Sequence, residues 1–94
     1  MKPRTRTPFE TFLMEEHRLQ YGSAHVIYNA LHSLVAQTSV EDVLSGDLDA
    51  LVAAHPTVAK AEAERRKAWK SRHRYRHAGQ CFREFVAAGG EAVL

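Results

Sequence analysis

The sequence predicts an all-α domain of four to six helices, a small single-domain bundle. Three observations carry this. Helix-start signatures recur along the chain, at Thr7-Pro8-Phe9-Glu10, Thr38-Ser39-Val40-Glu41 and Asp47. Apolar residues repeat at helical spacing, most clearly Tyr75, Ala78, Phe82, Phe85 and Val86. No segment sustains the alternation of a strand, and no Asn-Gly or Asp-Gly turn marks a hairpin.

Residues 1–6 form a basic, Pro-containing arm without periodicity, expected to be mobile; 7–90 form the helical domain and 91–94 a tail. Thr7 as N-cap, Pro8 at the first helical position and Glu10 three residues after the cap start a first helix. It is expected to run to about Gln20, with Phe9, Phe12 and Leu13 inward, and to be broken by Gly22. Ser23 is expected to cap a second helix to about Gln37, with Ala24, Ile27, Leu31, Leu34 and Val35 on one face and His25, Asn29, His32 and Ser33 opposite. The signature Thr38-Ser39-Val40-Glu41 opens a short helix that Gly46 stops, and Asp47 caps another over Leu48–Ala54. Pro56 ends that one, and Thr57 is expected to cap a basic helix running to about Lys70. Ser71 would cap the last helix, which stops at Gly89-Gly90.

The 94 residues carry a net charge of +2, which hides a dipole. Residues 1–59 hold four basic and seven acidic side chains, whereas 60–94 hold nine and four. Between Lys60 and Arg76, eight cations face only Glu62 and Glu64, a local charge of +6. Such a pole attracts phosphate backbones by releasing condensed counterions. Arg65, Arg66, Lys67, Lys70, Arg72, Arg74 and Arg76 are therefore the candidate contacts, with nucleic acid as partner and DNA ahead of RNA. Trp69 is a candidate for stacking on unpaired bases, whereas Tyr75 falls on the core stripe. Set against this reading is the ordinary one, in which a basic run is a solvated helix face.

Composition narrows the field further. One cysteine, Cys81, excludes an internal disulfide and fits a reducing compartment. Glu10, Glu15 and Glu16 interrupt the apolar residues behind the basic start, so no signal-peptide core follows, and no run approaches the length of a membrane span. A cytoplasmic location is expected.

Catalytic patterns are missing from the sequence. There is no Gly-rich phosphate loop, nucleophile elbow or His-Glu-x-x-His. His73, His77 and Cys81, at i, i+4 and i+8 with Glu84 on the same face, could chelate a transition metal. The favoured reading is a hydrophilic helix face, and no metal, cofactor or enzymatic activity is expected. His25 and His32 are read as solvated, His17 and His55 as structural.

The order of caps and core positions over residues 23–88 resembles the small SAM-like, core-binding helical domain of tyrosine recombinases and of some nuclease-associated modules. The residues that carry the likeness are Ser23 to Leu31, Val40-Glu41-Asp42-Val43-Leu44 leading into Asp47-Leu48-Asp49-Ala50-Leu51, and Ser71 to Ala78 with Phe82-Arg83-Glu84-Phe85-Val86. It implies contacts to the DNA backbone from Arg72, Arg74 and Arg76 in a stand-alone version without the catalytic domain. Function is thus expected to be a non-enzymatic nucleic-acid-binding module gripping phosphates through 60–76. The alternative is a small phage or mobile-element inhibitor or adaptor acting on a nucleoprotein complex. Its contact surface could be the acidic pole of Glu10, Glu15, Glu16, Glu41, Asp42, Asp47 and Asp49.

Overall fold

In the computed structural model, which describes residues 7–92, six helices follow one another with no strand among the described residues. They are α1 (Pro8–Glu16), α2 (Tyr21–Gln37), α3 (Val40–Ser45), α4 (Leu48–Ala54), α5 (Pro56–Ala63) and α6 (Ala68–Ala87). The expected arm at 1–6 and the last two residues of the expected tail lie outside the described residues.

The local chemistry of α1, α3 and α4 follows the sequence closely. Thr7 and Glu10 form a reciprocal capping box: the Glu10 amide donates to Thr7 Oγ1 at 3.2 Å, and the Thr7 amide to Glu10 Oε1 at 3.2 Å. Ser39 accepts from the Asp42 amide and Asp47 from the Ala50 amide, capping α3 and α4.

Five boundaries depart from expectation. α1 stops at Glu16, where Arg18 takes a left-handed φ of +52°. α2 begins at Tyr21, so Gly22 lies inside its first turn instead of breaking the chain, and Ser23 is not its cap. His55 in place of Thr57 caps α5: its Nδ1 accepts from the Thr57 amide at 3.1 Å, with Pro56 at the first helical position. The basic helix ends at Ala63, and α6 starts at Ala68, placing Ser71 within it.

α6 is the axis of the molecule and packs against each of the other five helices. Its Tyr75, Ala78, Cys81, Phe82 and Phe85 are buried, as are Leu31 and Leu34 from α2, Val43 from α3, Val52 from α4 and Val58 from α5. Phe9 of α1 meets Phe82 edge-on at 5.7 Å and Phe85 at 5.6 Å between ring centres. Each such aromatic pair adds about 0.5–1.5 kcal/mol to the area it buries. Gly79 lets α4 lie close on α6, because a Cβ there would come within 2.6 Å of Leu48 Cδ1. Ile27, Leu51 and Phe12 are only partly buried and pack on the rim of this core.

Candidate nucleic-acid interface

The basic segment is divided by the turn between α5 and α6. The Arg65 amide donates to the Glu62 carbonyl (3.1 Å), and the Arg66 amide to the Ala61 carbonyl (2.8 Å). These two bonds close a Schellman motif, whose left-handed residue is usually glycine. Here it is Arg65, at φ +55°. A Cβ in that region costs about 1–2 kcal/mol. α6 then starts at Ala68, with Lys67 at the N-cap position making no side-chain cap and no acidic residue in the first turn. The positive end of its dipole coincides with Lys67 and Lys70, a concentration of like charge.

All seven candidate cations are exposed, but they differ in their partners. Arg66 Nε lies 2.7 Å from Glu64, Arg72 Nη1 3.1 Å from Glu62, and Arg76 Nε 2.8 Å from Asp49. Exposed pairs of this kind contribute roughly 0–1 kcal/mol and exchange readily for a phosphate. Among the described residues, no acidic side chain pairs with Arg65, Lys67, Lys70 or Arg74; Lys70 Nζ sits 5.6 Å from the Trp69 ring centre.

Arg72, Arg74 and Arg76 do not form one row. At about 100° per residue, Arg74 lies roughly 160° around α6 from the other two. It borders a cleft of about 290 Å³ between α2 and α6, lined by Val26, Asn29, Ala30, Ser33 and Tyr75. Arg72 and Arg76 border a second cleft of about 360 Å³, closed on the other side by Asp49, Val52 and Ala53 of α4. Trp69 lies on the same side of α6, one turn before them, and is 58% exposed. Arg83, on that side two turns further on, is turned inward: its Nε donates to the Val43 carbonyl and its Nη2 to that of Gly46. It is a structural clamp at the end of α3.

Two groupings resemble catalytic or metal chemistry and are accounted for by packing. Ser33 Oγ is 2.9 Å from His55 Nε2. Because His55 Nδ1 accepts from the Thr57 amide, the neutral ring carries its proton on Nε2 and donates to Ser33. His55 in this state is no base for that hydroxyl. The ring is buried and stacked on Tyr75 at 4.2 Å, and burial lowers its pKa.

On α6, His73 and His77 stack at 6.0 Å and Cys81 Sγ lies 3.7 Å from His77 Nε2. Glu84 is taken by His17, 2.9 Å away on α1. No three His, Cys, Asp or Glu side chains among the described residues converge on a metal position. Burial, and secondarily the Glu84 charge, push the Cys81 thiol up to about 11, which keeps it protonated at neutral pH.

Two histidines gain partners that the sequence reading did not assign. His17 pairs with Glu84 as above. His25, read as solvated, has Nδ1 3.1 Å from Oε2 of the fully buried Glu10. The counterions Asp49, Glu62 and Glu64 were missed too; only the adjacency of Glu62 and Glu64 to the cations was visible. Among the described residues, no helix is long and apolar enough to cross a membrane.

No family model matches the chain, and no curated protein or solved structure matches it either.

Proposed function

We propose that the chain is a non-enzymatic nucleic-acid-binding module that holds the phosphate backbone through the α5–α6 turn and the first half of α6. One observation carries the reading. Seven exposed cations fall between Arg65 and Arg76, and four of them have no acidic partner among the described residues. Two further features support it. A charged residue, Arg65, occupies a backbone position better suited to glycine, and strain of this kind clusters at functional sites. The uncapped start of α6 adds its dipole to the same cations. The likeness to core-binding domains implies DNA, with backbone contacts from Arg72, Arg74 and Arg76, of which Arg72 and Arg76 share one side of α6.

Retention on heparin and binding to labelled DNA across a salt series test the proposal. If three to five cations each neutralise a phosphate, log K falls against log salt with a slope of roughly −3 to −5. Replacing Arg65, Lys67 and Lys70 together with Ala should flatten the slope by about three units and weaken binding to all sequences alike. Flow-through at about 50 mM salt rejects the reading. The exposed acidic side chains Glu41, Asp42 and Asp47 around α3 would then favour the protein-binding adaptor.

A further inference from the structure

We infer that the face of α6 bearing Trp69, Arg72, His73 and Arg76 takes single-stranded nucleic acid, with an unpaired base on Trp69 and the adjoining phosphates on Arg72 and Arg76. The inference rests on the nucleic-acid reading above and names the form of the ligand. Trp69 is 58% exposed, and an indole presented to water beside a row of cations suits a ligand that is both flat and anionic. At helical spacing, Arg72, His73 and Arg76 follow it on the same side at i+3, i+4 and i+7. They run into the cleft of about 360 Å³ against α4. That cleft is concave, with Val52 and Ala53 as its apolar wall, and is of a size that admits one small-molecule-sized group. A sugar and phosphate fit such a space, whereas the broad face of a duplex stays outside it. A stacking aromatic beside a cationic groove is the arrangement that binds single strands without regard to sequence.

Asp49 and Glu62 oppose this ligand. They occupy Arg76 and Arg72 at 2.8 and 3.1 Å and repel a phosphate from the same cleft. Both pairs are exposed to water, so a phosphate displaces the carboxylates at small cost.

Trp69 is the only tryptophan in the chain, so its fluorescence reports the contact directly. The test titrates the protein with a labelled oligothymidylate of about 15 nucleotides, near the top of the usual site size, and with its duplex. Single strand should quench the indole and bind more tightly than duplex, despite the duplex's greater charge. Trp69→Ala should weaken single-strand binding by about tenfold or more and leave duplex binding unchanged, with Trp69→Phe recovering part of the loss. Asp49→Asn should tighten single-strand binding up to about fivefold.

Equal affinity for the two forms, an unquenched indole, or Trp69→Ala binding like the parent each overturn the inference while leaving a phosphate-gripping module in place. Failure of both oligonucleotides to bind at about 50 mM salt removes that module reading as well.

Discussion

Arg83 reaches across from α6 to Gly46, its Nη2 donating to the Gly46 carbonyl at 2.7 Å while Nε donates to Val43 at 2.6 Å. The guanidinium thereby satisfies two carbonyls at the end of α3, where the helix dipole favours a cation. Arg83→Ala leaves both acceptors without their donor and should cost about 1.5–3 kcal/mol in urea unfolding. Lysine cannot reproduce the fork and should recover little. The salt slope of nucleic-acid binding should not change. A flattened slope would instead add Arg83 to the phosphate-contacting set.

Phe82 is fully buried where α1 and α6 meet, edge-on to Phe9. Phe82→Ala should cost about 3–5 kcal/mol, a large share of the ~5–14 kcal/mol available to a domain of this length. Circular dichroism in urea reads the loss. A variant as stable as the parent would mean that the contact is not formed.

His55 makes stability depend on acid. In the folded state its ring is buried, which lowers its pKa, and Nδ1 caps α5 as an acceptor. Above about pH 6.5, the unfolded value, neither state is protonated and the group contributes no pH dependence. Below it, the unfolded chain takes the proton first. Stability therefore falls with pH by up to about 1.4 kcal/mol per unit until the lowered folded value is reached. Urea midpoints between pH 7.5 and 5 should show a steeper decline for the parent than for His55→Asn. Asparagine can still cap the helix but does not titrate. Parallel declines in the two proteins would rule the explanation out.

Arg65 and Arg18 both sit in the left-handed region, at φ +55° and +52°. Glycine at either position relieves the Cβ clash but gives back part of the gain through unfolded-chain entropy. Each replacement should raise stability by up to about 1 kcal/mol. Arg65→Gly should also weaken nucleic-acid binding, whereas Arg18→Gly should leave it intact. Equal binding by the two variants would show that Arg65 is placed there for some other reason.

Much of the fold was legible because it rests on local chemistry. The capping box of Thr7 and Glu10, the caps at Ser39 and Asp47, and the stripe of Tyr75, Phe82 and Phe85 are set by neighbours within a turn or two, and periodicity exposes them. The break at residues 64–67 was not legible. Ala, Glu, Arg and Lys are strong helix formers, and neither glycine nor proline marks the turn. What ends α5 is tertiary: Val58 and Ala61 before the turn and Ala68 after it are all buried, and one straight helix would not return α6 across the core. The basic segment was visible as charge. Its division into two faces was not, because that depends on where α6 begins and on the carboxylates of Asp49 and Glu62 meeting it from outside.

The central position of α6 has a thermodynamic consequence. No other helix can leave the core without giving up its contact with α6, so loss of α6 dismantles the whole, and unfolding is expected to be a single cooperative event. The same helix carries four of the seven exposed cations, Lys70, Arg72, Arg74 and Arg76, on its first turns. Any anion that binds those turns only when they are formed therefore stabilises the entire chain, by about 2.7 kcal/mol when present at a hundred times its dissociation constant. Heat denaturation of this protein thus doubles as a ligand titration, with each rise in the melting temperature measuring occupancy of the basic end.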